Sequence, residues 1–87
     1  MKKLIPLALL LASLTAHADV AQCNFISNND GRYYCIAVAK QDNSYCGFIN
    51  DNNRRYMCRA VAAQDSMQCN FITNNDQRQQ CKGQVGN

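Results

Sequence analysis

Asp42-Asn-Ser-Tyr-Cys-Gly-Phe-Ile-Asn-Asp-Asn-Asn-Arg-Arg-Tyr-Met-Cys-Arg-Ala-Val-Ala-Ala-Gln64 is a unit of 23 residues that this chain uses three times. The same frame runs from Asp19 to Gln41 and from Asp65 to Asn87, always with Asp first and Cys at the fifth and seventeenth places. A unit this short cannot enclose its own apolar face, so its copies must bury that face against one another. The reading is an all-α fold: a small disulfide-stapled array of three tandem 23-residue α-hairpin repeats, with units 19–41, 42–64 and 65–87 in a single repeat domain.

The cysteines support the hairpin. Cys23, Cys35, Cys46, Cys58, Cys69 and Cys81 are spaced by 12, 11, 12, 11 and 12 positions. An even number at regular spacing in a small exported chain is a disulfide framework. Pairing inside each unit (Cys23 with Cys35, Cys46 with Cys58, Cys69 with Cys81) satisfies every copy identically. Pairing across the linkers would strand Cys23 and Cys81 at opposite ends. Two Cys twelve residues apart on one straight helix would lie ~18 Å apart, whereas a disulfide needs Cα atoms within about 7 Å, so the chain turns back between them. Each staple should contribute on the order of 2 to 3 kcal/mol. A metal site is not expected, because there is no CxxC pair and the only His is His17, near the start of the chain. The paired cysteines resemble, in geometry alone, the twin-Cys helical hairpins of small mitochondrial proteins, which carry two bridges per hairpin where this chain has one.

Within each unit, Asp19, Asp42 and Asp65 are N-cap residues for a short first helix of about two turns, running through the first Cys to Phe-Ile. Ser27 with Asp30, and Thr73 with Asp76, have the spacing of a capping box that opens a second helix. Calcium is a poor fit to these Asn/Asp turns, because the first acidic ligand of an EF-hand loop would fall on Ile26 and the closing Glu on Ala37. The runs Ile36-Ala37-Val38-Ala39 and Ala60-Val61-Ala62-Ala63 predict close helix packing against the following copy. The third copy has Lys82-Gly83-Gln84-Val85 instead, which predicts a poor helix and a polar end. Phe25, Ile26, Phe48, Ile49, Phe71 and Ile72 are expected to form most of the core.

Lys2 and Lys3, the apolar run Leu4 to Leu14, and Ala16-His17-Ala18 have the order of a secretory signal peptide, so residues 1–18 are expected to be removed. The cut leaves 69 residues, three whole units. The expected location is periplasmic or secreted, with no stable membrane insertion after cleavage. Seven basic residues and six Asp then remain, a net charge of +1, which predicts no nucleic-acid partner.

No catalytic residue and no cofactor are expected, since Glu is absent, mature His is absent, and each Asp has a capping or turn role. Arg32, Arg55 and Arg78 recur at the fourteenth place. Beside the end of the first helix they could bond its open carbonyls, or they could form a cation ladder for carboxylates of a partner protein or an acidic glycan. Tyr33, Tyr56, Arg54 and Arg59, with Tyr34, Tyr45 and Met57, give the first two copies the residue types that dominate binding hot spots. The expected function is an exported protein-binding module of the inhibitor, accessory or immunity type, with a protein partner in the envelope or outside the cell. A membrane-active or antimicrobial peptide and a purely structural envelope component are the alternatives, and enzymatic activity is not expected.

Overall fold

The computed structural model describes residues 20–86, so the signal peptide assigned to residues 1–18 and the cap assigned to Asp19 lie outside the described residues. Each copy is a short 3-10 helix followed by an α-helix: η1 (Val20–Phe25) and α1 (Asn29–Lys40), η2 (Asn43–Phe48) and α2 (Asn52–Ala63), η3 (Ser66–Phe71) and α3 (Asn75–Val85). The fold is therefore the all-α, disulfide-stapled array of three hairpins.

The first arm is tighter than an α-helix. Asp42 accepts a hydrogen bond from the Ser44 amide at 3.0 Å and Asp65 one from the Met67 amide at 3.1 Å, each only two residues on. The arm closes with the Ile amide on the Cys carbonyl three residues back, Ile49 to Cys46 at 3.0 Å and Ile72 to Cys69 at 3.1 Å. At its start the Tyr45 amide donates to the Asp42 carbonyl at 3.4 Å and the Gln68 amide to the Asp65 carbonyl at 3.2 Å, so backbone i to i+3 bonds run at both ends and the expected short helix of about two turns is a 3-10 helix.

The second arm starts one residue later than its capping-box reading. Asn28, Asp51 and Asn74 are the N-caps, their side-chain oxygens accepting from the Gly31, Arg54 and Gln77 amides at 2.7, 2.9 and 2.9 Å. Ser27 and Thr73 are not caps, and Asp30 turns away from its own helix. Its carboxylate accepts the amides of Asn50 and Asp51 in the next copy at 2.8 and 3.1 Å. Asn53 does the same for the Thr73 amide at 3.0 Å. These bonds hold the Asp30 carboxyl below the usual carboxylate range, the Asn50 amide contributing most.

Helices α1 and α2 end on Gln41 and Gln64 in the left-handed conformation, φ 54° and 55°. The next residue locks that turn, the Asp42 amide donating to the Ala37 carbonyl at 2.9 Å and the Asp65 amide to Ala60 at 2.8 Å. Each Asp thus closes one helix with its backbone and opens the next with its carboxylate. Helix α3 forms through Val85, contrary to the expectation for its Gly-containing run. The Asn74 cap and the bridge at Cys81 anchor it, and one internal Gly costs only about 1 kcal/mol.

All three disulfides are within a copy, Cys23–Cys35, Cys46–Cys58 and Cys69–Cys81, each with Cα atoms 5.6 Å apart. The apolar clusters form between copies. Ala37 is buried with Cys46, Ile49, Cys58 and Ala62, and Ala60 with Cys69, Ile72 and Cys81. The phenylalanines are not core: Phe25, Phe48 and Phe71 are 87 %, 58 % and 56 % exposed. Sulfur, Ile and Ala fill the thin space between stacked hairpins, which leaves no depth for an aromatic ring. The backbone of each element lies against its neighbours along the array, as in other stacked repeats.

Candidate functional site

Seven places are identical in all three copies: the opening Asp, both Cys, Phe-Ile, Asn at the eleventh place and Arg at the fourteenth. The structure gives the arginines one shared position. Nη1 of Arg32, Arg55 and Arg78 donates to the carbonyl of Ile26, Ile49 and Ile72 at 3.2, 2.9 and 2.8 Å. Nη2 reaches the Oδ1 of Asn29, Asn52 and Asn75. Each guanidinium therefore clamps the bend between the two arms, the carbonyl-bonding arrangement of the structural reading.

Tyr33 and Tyr56 lie on one side of the stack. Tyr33 stacks on Phe48 of the next copy with ring centroids 4.9 Å apart, and Tyr56 on Phe71 at 5.2 Å. The guanidinium of Arg32 lies 5.7 Å from the Tyr33 ring centre and that of Arg59 5.6 Å from that of Tyr56, within range of a cation–π contact. Gln79 ends the series in the third copy.

Arg54 is placed elsewhere. Two residues before Tyr56 on α2, it is turned roughly 200° around the helix from it. It lines a groove of about 320 Å³ with Gly31 and Tyr34 from α1, Asn53 and Met57 from α2, and Gln77, Gln80 and Gln84 from α3. The spacings 31/34, 54/57 and 77/80/84 put these residues on one face of each helix. Tyr34 and Gln84 reach across α2 and meet, Oη to Oε1, at 3.3 Å. Partial burial raises the Tyr34 phenol above its ordinary pKa, so it is a neutral donor and acceptor. Arg54 Nη1 donates to Asn28 Oδ1 at 3.4 Å, leaving most of its donors open to the groove. Gly31 sits in close contact with its own bend, where a Cβ would lie 3.2 Å from Ile26 Cγ2.

The groove face is also where the copies disagree. The thirteenth place reads Gly31, Arg54, Gln77 and the sixteenth Tyr34, Met57, Gln80. Of the candidates read from sequence, Arg54, Tyr34 and Met57 enter it; Tyr33, Tyr45, Tyr56, Arg59 and the three clamping arginines do not line it. Gln77, Gln80 and Gln84 were not among those candidates. Aligning the copies column by column puts the first two among the sixteen places that vary, and only the stacking of the helices brings them to one groove.

All six cysteines are in disulfides, which suits an oxidising compartment. Among the described residues there is no group of three or more His, Cys, Asp or Glu able to hold a metal ion, and no helix is long and apolar enough to cross a membrane. No family model, curated protein or solved structure matches the chain.

Proposed function

We propose that this chain is a protein-binding module, exported to the periplasm or beyond, that holds a segment of its partner in the groove crossing α1, α2 and α3. The observation that carries the reading is the separation of places. The seven identical ones cap, staple, clamp or stack, whereas the varied ones at thirteen and sixteen converge on a single groove. A repeat array keeps its frame constant and differentiates the surface that meets a ligand. The groove supplies an anchor for each part of a peptide: Met57 and the Tyr34 ring for an apolar side chain, the glutamine amides for backbone groups, and Arg54 for a carboxylate. Its volume suits a few side chains and not a whole domain face. We assign export to the order of residues 1–18 together with the three bridges.

Photocrosslinking from position 57 in living cells, followed by mass spectrometry, tests this. A discrete partner crosslinked from Met57 and lost in Arg54→Glu and Tyr34→Ala is the expected result. Capture unchanged by both substitutions, or capture of the same partner, as distinct from a second copy of this chain, equally strong from a control position at Gln79 on the opposite side, would overturn the groove as the binding surface.

A further inference from the structure

We propose that the protein associates head to tail with a second copy of itself, the outer face of α3 in one molecule seating on the outer face of η1 in the next. The junctions inside the chain are the template. At the first, Asp30 accepts the Asn50 and Asp51 amides, Tyr33 stacks on Phe48, and Ala37 is buried beside Cys46 and Ile49. At the second, Asn53 accepts the Thr73 amide, Tyr56 stacks on Phe71, and Ala60 is buried beside Cys69 and Ile72. One helix face, read at i, i+3 and i+7, therefore fits one receptor made of a Phe, a buried Ile and the backbone amide that follows the Ile, with the next amide joining where the acceptor is the Asp30 carboxylate.

The head of the array presents that receptor uncovered. Phe25 is more exposed than either stacked counterpart, and Ile26 is only half-buried where Ile49 and Ile72 are each 1 % exposed. Among the described residues nothing accepts the Ser27 or Asn28 amide, which correspond to those of Asn50 and Asp51. The tail presents the helix face, also uncovered. Asp76 stands where Asp30 and Asn53 stand, exposed, and accepts no hydrogen bond among the described residues. Gly83 replaces Ala37 and Ala60 with open space around it, so nothing on α3 obstructs a neighbouring staple. The carboxylate at the tail matches the free amides at the head. Gln79 in place of Tyr is the loss: its amide can lie over Phe25 but cannot form the aromatic stack. The contact is heterologous and does not close on itself, and it is weaker than the junctions within the chain.

Sedimentation velocity of the oxidised chain over a wide concentration range tests this. The weight-average mass should rise with concentration, and Phe25→Ala or Asp76→Ala alone should abolish the rise. Both side chains are on the surface, so neither change threatens the fold. Mixing the two variants should restore pairs but no larger species, because one intact head then meets one intact tail. Gln79→Tyr should tighten association up to roughly tenfold by restoring the stack. A monomeric mass at every concentration, association retained by either single variant, or a mixture that forms no pairs would each overturn the proposal.

Discussion

Helices α2 and α3 are built on the same frame and do different work. Both start on an Asx cap, both are stapled to a 3-10 arm at a Cα separation of 5.6 Å, and both carry an Arg clamped on an Ile carbonyl. Helix α2 then presents Tyr56 and Ala60 to the following copy, whereas α3 presents Gln79 and Gly83 to solvent. The difference separates two requirements. Forming a hairpin needs the cap, staple and clamp; joining hairpins needs the acceptor, the ring and the small residue at i, i+3 and i+7.

The largest effect should come from the staples. Replacing Cys46 and Cys58 by Ser should lower stability in urea by on the order of 3 kcal/mol, and by more than replacing Cys69 and Cys81. The hairpin it staples packs on a copy at each side, whereas among the described residues the third hairpin packs on the second alone. Equal losses would mean that the junctions contribute little.

Side-chain size should sort the two helices next. Ala60→Leu should cost about 1 to 3 kcal/mol, because Ala60 is fully buried against the next copy. Gly83→Ala should instead raise stability by about 0.5 to 1 kcal/mol, since its added Cβ meets nothing within 4 Å and the helix gains propensity. Thermal melts of both variants check the pair.

The smallest effect is in acid. The Asp30 carboxyl is lowered in the folded chain by the Asn50 amide first, so the native state binds fewer protons than the unfolded state there. Its stabilisation is present above about pH 4 and is lost as pH falls through the lowered value. Asp30→Asn should remove that part of the acid dependence while keeping the junction closed, because Asn53 already plays the same part with an amide. Urea midpoints measured down the acid range test this; an unchanged slope in Asp30→Asn would show that the bond between copies is not what lowers the carboxyl.

The repeat and the cysteine spacing were enough to read the hairpins and the pairing, because two bridged Cys twelve residues apart forbid a straight helix and three units with Cys at the same places admit one identical solution. The Arg clamp was legible for the same reason, since a residue kept at one place in every copy serves whatever every copy shares. Asp42 and Asp65 cap the first arms as read, whereas the second-arm caps of the first and third copies were misread by one residue because Ser or Thr, Asn and Asp crowd the bend there, and any of them can cap. Only the path of the chain selects among them. Phe was misread as core because apolarity does not reveal how thin the space between stacked hairpins is.

What the chain determines by local rules, then, is the hairpin, its staple and the number of copies. What only the tertiary structure decided is which faces meet. Asp30 reaches the backbone twenty residues on, Tyr34 meets Gln84 across an intervening helix, and Arg54 parts company with Tyr56. Those relations depend on the angle at which one hairpin settles on the next. Ala37 and Ala60 face the following copy as their runs led one to expect, but the partner each meets there, a buried Ile and the neighbouring disulfide, is not given by sequence spacing.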